Sequence, residues 1–336
     1  MMQISPETQL FIREHSSDDV RVLALQAKKY PDIDMPTAIT QIAGRKVAAE
    51  KIPSWWEIEK IWYPKHLSLE QCSSEITARY KARLLQGDSL TDLTGGFGID
   101  CSFLATGFKS ATYVERQEEL CEIAAHNFPV LNLNHINIKN EDGVTYLQAM
   151  SPVDCLFLDP ARRNEHGGKT VAISDCEPNV AELEELLLQK ANRVMIKLSP
   201  MLDLSLALKE LKQTQEVHIL SVNNECKELL ILLGQTSPAE ISIHCVNLFT
   251  KGTQKEQHFV FTREQEQCSE CTYTDSLETY LYEPNASLLK AGAFRSIAAA
   301  YPVRKLHPNS HLYTSDTFIE NFPGRIFRIV NQCSFN

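Results

Sequence analysis

Apolar positions along this chain recur first at helical spacing and then in short, dense runs. Residues 18–30 carry Val20, Leu23, Ala24 and Ala27 on one side, and Pro36 starts a second helix over 37–52 with Ile39, Ile42, Ala43 and Val47 aligned. Ser68 and Gln71 read as a capping-box start for a third helix running through Ala78, Ala82 and Leu85. From residue 89 the pattern changes. Apolar runs at 90–94, 111–115, 135–139, 153–158, 193–198 and 217–222 predict strands, with helices such as 117–128 and 179–191 between them. Strand and helix in regular alternation build a parallel sheet with right-handed crossovers. A last run, Leu229 to Leu233, comes after the sixth strand with only Asn223-Asn224-Glu225-Cys226 between. So short a link excludes a parallel crossover, so this run is expected to be antiparallel unless 227–233 is a buried helix. Beyond 235 the pattern loosens: 240–248 (Ile241, Ile243 and Cys245 alternating) and 257–262 read as strands of a small α+β unit, and 286–301 as one helix with Leu288, Leu289, Ile297 and Ala298. The expected organisation is a helical region over 1–82, an α/β domain over 83–235 and a small α+β domain over 236–336.

Composition narrows the class of protein. The 336 residues contain no apolar window of membrane-spanning length and no basic-then-apolar leader, and the ten cysteines show no secreted-framework spacing. A cytoplasmic protein with reduced thiols is expected. Cys268-x-x-Cys271 has no second Cys or His pair at finger spacing, so no metal site is read from the sequence. The net charge of −10 argues against a protein that simply coats nucleic acid. Its distribution is uneven: 10 basic and 11 acidic residues in 1–80, 17 and 29 in 81–280, and 6 and 3 in 281–336. The tail alone is net basic.

The chemistry concentrates at two stretches. Asp92-Leu93-Thr94-Gly95-Gly96-Phe97-Gly98-Ile99-Asp100 reads as strand, glycine loop, helix, a layout that lets backbone N–H groups approach a polar ligand. A dinucleotide fingerprint in register with Gly96 and Gly98 fails at its third glycine, where Cys101 stands. Glu115 closes the next strand, with Arg116 beside it, and its carboxylate can accept from ribose hydroxyls. Asp142-Gly143 closes the third strand, where Asp142 serves equally as a helix cap. The second stretch, Asp159-Pro160-Ala161-Arg162-Arg163, comes directly after the fourth strand, at the edge where open α/β sheets bind ligands. Lys197-Leu198-Ser199-Pro200 ends on the same edge, and Arg162 to Lys169 forms a basic loop that either engages phosphates or is simply solvated. Trp55, Trp56 and Trp62 cluster before the core; packing against the next domain is the favoured reading over base stacking. In the tail, Tyr301, Arg304, Lys305, His307, His311, Tyr313, Phe322, Arg325 and Arg328 suit an RNA-binding surface and a small-domain core about equally.

At the D-x-T-x-G-x-G residues and Glu115 the chain resembles class I S-adenosylmethionine-dependent methyltransferases, whose Rossmann-like seven-stranded sheet ends in an antiparallel strand. Asp159-Pro160-Ala161-Arg162 is similar to the D/N-P-P-Y/F motif of members that methylate exocyclic base amines, with Ala161 and Arg162 departing from it. Together with Tyr282-Glu283-Pro284-Asn285-Ala286, the layout resembles the bacterial methyltransferases with a C-terminal THUMP-like domain. The resemblance implies that Asp92, Thr94, Gly95, Gly96, Phe97, Gly98, Asp100, Glu115, Arg116, Asp142 and Gly143 hold S-adenosylmethionine. It implies that Asp159, Pro160 and Arg162 position an acceptor amine, and that the acceptor is structured RNA (tRNA or rRNA). No Pro-Cys or Thr-Cys nucleophile is present, so direct transfer to nitrogen is expected rather than a covalent cysteine route. The rivals are a methyltransferase for a small molecule or protein and a non-catalytic RNA-binding protein that keeps the cofactor fold.

Overall fold

The computed structural model describes residues 4–162, 172–236 and 238–333. The chain divides into two compact units, residues 1–158 with 189–192 and residues 159–188 with 193–336. The expected boundaries at 82/83 and 235/236 fall inside these units.

The first unit opens with helices α1 (Pro6–Glu14), α2 (Val20–Leu25), α3 (Met35–Lys51), α4 (Pro53–Trp56), α5 (His66–Gln71) and α6 (Glu75–Ala82). Asp34 starts α3 by accepting the Thr37 N–H, with Pro36 in the first turn where no amide partner is needed. Phe11, Leu23, Met35, Ala38 and Ile42 close one small core among α1, α2 and α3. A second core joins these helices to the glycine loop and the helices beyond it: Ala48, Ile52, Trp55, Leu69 and Ala78 share it with Phe97, Ile99, Leu120 and Ile123. The single helix expected from Ser68 onward is two. Ser68 lies inside α5, and the chain is extended at Cys72 before α6 begins. The break lets the buried Ser73 hydroxyl donate to Asp100 and accept from the Lys81 ammonium, a polar cluster that a continuous helix would not bring together.

After α6 come β1 (Ser89–Asp92), α7 (Ile99–Ala105), β2 (Ser110–Glu115), α8 (Glu118–Val130), β3 (Ile136–Asn140), α9 (Gly143–Ala149) and β4 (Val153–Leu158). The four strands pair in parallel in the order β4-β1-β2-β3, with Asp92 opposite both Tyr113 and Phe157. This register brings the ends of β1, β2 and β3, and the loops after them, to one edge.

The second unit contains β5 (Ala161–Arg162), β6 (Cys176–Glu177), α10 (Val180–Lys190), β7 (Ala191–Leu198), α11 (Leu204–Glu210), β8 (Thr214–Val222), β9 (Glu225–Gly234), β10 (Ser242–Leu248) and β11 (Glu256–Thr262). The Leu229–Leu233 run is a strand: β9 pairs antiparallel with both β7 and β8, as the short link demands. The four strands of the first unit and β7, β8 and β9 are the seven expected of the methyltransferase fold class. Two more extend the set. The runs at 240–248 and 257–262 do not form a separate unit: β10 pairs parallel with β8 over seven residues, and β11 pairs antiparallel with β10. The reason is hydrogen bonding, since β8 presents an open edge that the alternating β10 can satisfy along its whole length.

The remainder is a four-stranded antiparallel sheet of β12 (Tyr280–Pro284), β13 (Arg304–Lys305), β14 (Tyr313–Ser315) and β15 (Gly324–Arg328) in the order β13-β14-β12-β15, preceded by α12 (Arg263–Cys268), with α13 (Ala286–Ala291) and α14 (Phe294–Ala300) between β12 and β13 in the chain; α13 packs on β8, β9 and β10. The one helix expected over 286–301 is two because Gly292 turns left-handed at φ 76° and closes α13 by donating to the Leu288 carbonyl. Glu266 restarts the chain as α14, accepting the N–H groups of Phe294, Arg295 and Ser296. Among the described residues no helix is long and apolar enough to cross a membrane.

Candidate active site

The glycine loop is built by exclusion of side chains. A Cβ on Gly95 would stand 2.3 Å from the ring of the fully buried Tyr113, and Gly96 and Gly98 adopt left-handed conformations at φ 55° and 87°. Gly98 donates to the Gly95 carbonyl, Gly95 to Val114, and the Tyr113 hydroxyl donates to the Gly96 carbonyl. Gly143, after β3, is fixed by the same loop: its Cβ would meet the Leu93 carbonyl at 2.2 Å. Phe97 points into the second core, where Trp55 meets it edge-on with centroids 5.2 Å apart. Trp55 therefore packs, as favoured from the sequence. Trp62 stacks on His126 at 3.7 Å, and Trp56 lies exposed under Arg45.

Three carboxylates close the three adjacent strands, each with a local duty. Asp92 is buried and accepts from the Thr94 N–H at 3.0 Å. Glu115 is 8% exposed; one oxygen accepts the Gly96 N–H at 2.9 Å and the other the Gln117 N–H at 2.8 Å. Each carboxylate oxygen carries a second lone pair, so a hydroxyl can still donate to Glu115. Asp142 is exposed and caps α9, with Val144 N–H, Thr145 N–H and the Thr145 hydroxyl all falling on Oδ1. Among the described residues, no capping bond falls on Oδ2. Arg116 is exposed, its carbonyl accepting from Asn140.

Asp100 sits differently. It pairs with Lys81 at 3.0 Å and accepts from Ser73, with the Lys81 side chain wholly buried. These bonds hold α6 against α7. Cys101, at the place of the missing third glycine, is fully buried, and burial raises its thiol pKa well above the ordinary value. A thiol held protonated in this way is no nucleophile.

Asp159 begins the second unit, immediately after β4. Its Oδ2 lies 2.5 Å from the Lys197 ammonium; the Lys197 side chain is 9% exposed and that of Asp159 38%. Lys197, which the sequence only placed on the same edge, is thus the partner of the motif's acid. Pro160 is buried, and Ala161 and Arg162 form β5, pairing with Glu177 and Cys176. The Arg162 side chain and the expected basic loop from Arg163 to Lys169 lie outside the described residues.

The tail divides between core and surface. Tyr313, Phe322 and Lys305 are buried, with Lys305 donating to the His307 and Pro308 carbonyls, so these three cannot form the RNA-contacting surface considered from the sequence. They are closed in because β14 presents Tyr313 inward, toward Tyr282 and Phe322. Arg304 pairs with Glu278 and Arg325 with Glu283, Arg328 is exposed, and Arg325 lies over the exposed ring of Phe327 at 5.7 Å.

A ferredoxin-like domain family matches residues 280–323, within the small antiparallel unit. A protein of Porphyromonas gingivalis W83 known from a crystal structure, named "putative methyltransferase", is 34% identical; the match covers 98% of this chain and 84% of that one at a TM-score of 0.84. A "modification subunit of a putative type I restriction enzyme" from Vibrio vulnificus YJ016 is 12% identical over 60% of this chain and 56% of that one, at a TM-score of 0.40. An rRNA methylase from Streptococcus thermophilus is 14% identical over 47% and 93% of the two chains, at 0.34. Overlaps of that size carry nothing about chemistry. No curated protein matches the sequence. Identity of 34% sustained over nearly the whole chain leaves one conclusion: this chain belongs to the family of the Porphyromonas gingivalis protein.

Proposed function

We propose that this protein is an S-adenosylmethionine-dependent methyltransferase acting on a base nitrogen of structured RNA, a tRNA or rRNA. The observation that carries the reading is the set of three carboxylates, Asp92, Glu115 and Asp142, at the ends of three adjacent parallel strands around a loop where added side chains would collide. The residues fit the cofactor by their chemistry: the tight loop of Gly95 to Gly98 for its amino-acid end, Glu115 for the ribose hydroxyls and Asp142 Oδ2 for the adenine amino group. When bound, S-adenosylmethionine supplies a methyl group on a positively charged sulfur, ready for in-line displacement by a lone pair.

Such a displacement asks the protein mainly for position and electrostatics. In this reading Asp159 accepts the N–H of the acceptor amine and stabilises the positive charge that develops on nitrogen, while Lys197 fixes the carboxylate by a charge-assisted bond. Pro160 stiffens the turn. Arg162 stands where the related motif carries an aromatic residue, and its plane suits stacking on a base or a clamp on phosphate. The ferredoxin-like region, with Arg325 over Phe327 and the exposed Arg328, supports a THUMP-like role in gripping RNA.

The test is transfer of labelled methyl from S-adenosylmethionine into fractionated RNA, protein and metabolites from cells lacking the protein. Label in RNA that disappears with Asp159→Ala is expected. Label confined to protein or metabolites overturns the RNA assignment, and cofactor binding without label in any fraction favours a non-catalytic RNA-binding role.

A further inference from the structure

On one face of the second unit's sheet, three neighbouring strands present imidazoles to one another. His218 of β8 and His244 of β10 are direct partners in the parallel ladder, their rings stacked with centroids 4.3 Å apart. His258 of β11 stands opposite Val246, two residues along the same face as His244, and its Nε2 lies 3.1 Å from His244 Nδ1. Glu216, two residues before His218, shares the face by the period of the strand and places Oε2 3.2 Å from His218 Nε2. The donor atoms of Glu216, His218 and His244 all lie within 4.8 Å of one another.

We propose that Glu216, His218, His244 and His258 form a divalent transition-metal site, of the zinc class, that clamps β8, β10 and β11 together. Imidazole nitrogens with one carboxylate oxygen are the donor set zinc takes, and a tetrahedral ion with bonds of about 2.0–2.1 Å spaces its ligand atoms about 3.3 Å apart. Two of the separations here are already close to that, and on ion binding the remaining ones must close by side-chain rotation. The ion replaces the shared protons in the Glu216–His218 and His244–His258 hydrogen bonds, with each ring carrying its proton on the other nitrogen.

Two further features belong to a built site. Arg193 holds Glu216 Oε1 at 2.9 Å, which fixes the carboxylate and turns the other oxygen toward the histidines, as outer-shell partners do for metal ligands. His218 is buried, His244 half-buried and His258 exposed, so the cluster opens to solvent along the edge strand β11 and an ion has a way in. A chain of hydrogen bonds alone requires none of this convergence.

Protein stripped with EDTA is titrated with Zn2+ and, separately, with Co2+ as a spectroscopic probe. The expected result is one bound ion per chain, a four-coordinate cobalt spectrum without thiolate charge-transfer bands, and a rise in melting temperature on adding zinc. His244→Ala and the exposed His258→Gln should each weaken binding by roughly tenfold or more. The Cys268→Ser/Cys271→Ser double variant should bind as wild type does. His258→Gln guards against misfolding, because its melting temperature in EDTA should match that of wild type. The assignment is overturned by wild-type protein that takes up no stoichiometric zinc, by unchanged affinity in both histidine variants, or by loss of binding in the cysteine variant.

Discussion

Each unit holds an aspartate–lysine pair at a residue of a sequence motif, Asp100 in one and Asp159 in the other, and the two pairs are unlike. Asp100 and Lys81 are sealed: the lysine is wholly buried, the aspartate nearly so, and Ser73 bonds to both. Asp159 and Lys197 are open, with more than a third of the Asp159 side chain facing solvent. Both aspartates are expected from the sequence to touch ligands. The surroundings separate them: the sealed pair holds helices together, whereas the carboxylate paired with Lys197 keeps 38% of its side chain exposed. In the proposed function, that contrast favours Asp159 for the acceptor and Asp100 for holding the fold.

The contrast breaks most visibly under substitution. Asp100→Ala leaves the wholly buried Lys81 ammonium without its counter-charge and should cost about 3–5 kcal/mol in urea unfolding, whereas Asp159→Ala removes the half-exposed partner of Lys197 and should cost less, about 1–2 kcal/mol. Equal losses would erase the distinction. Next in size, Gly95→Ala drives a methyl group into the Tyr113 ring and should destabilise by about 1–3 kcal/mol, with loss of cofactor binding read by calorimetry. An alanine tolerated there without loss would mean the loop is looser than its geometry. The smallest effect tests the double duty of Asp142. Asp142→Ala removes the cap of α9 and should cost about 0.5–2 kcal/mol, while Asp142→Asn, an equally good cap, should keep stability and still weaken cofactor binding. If Asn binds the cofactor as wild type does, Asp142 is a cap alone.

Strands β1 to β4, β7, β8 and the antiparallel β9 were legible because buried strands are short dense apolar runs and a four-residue link forbids a crossover, whereas the two-residue β5 and β6 carry no such run. The glycine loop was legible in kind, although what makes Gly95 and Gly143 obligatory, Tyr113 and the Leu93 carbonyl, comes from other strands. Gly292 was a readable stop signal that the apolar spacing of 286–301 overrode. The break at Cys72 was not readable, since it depends on Asp100, 27 residues beyond Ser73. Nor was the place of β10 and β11: alternation marks a strand without naming the edge it joins. The Lys81 partnership exists only once α6 packs on α7, and that of Lys197, like the stacking of His218 on His244, only once the strands are in place.

The most direct test of the central claim measures S-adenosylmethionine affinity and methyl transfer together in wild type, Glu115→Ala and Asp159→Ala. The account predicts binding by wild type, binding weakened by roughly tenfold or more in Glu115→Ala through loss of a charged hydrogen-bond acceptor, and, in Asp159→Ala, full affinity with transfer abolished. Wild-type protein that fails to bind the cofactor, or an Asp159→Ala enzyme that still transfers methyl at the wild-type rate, would contradict it.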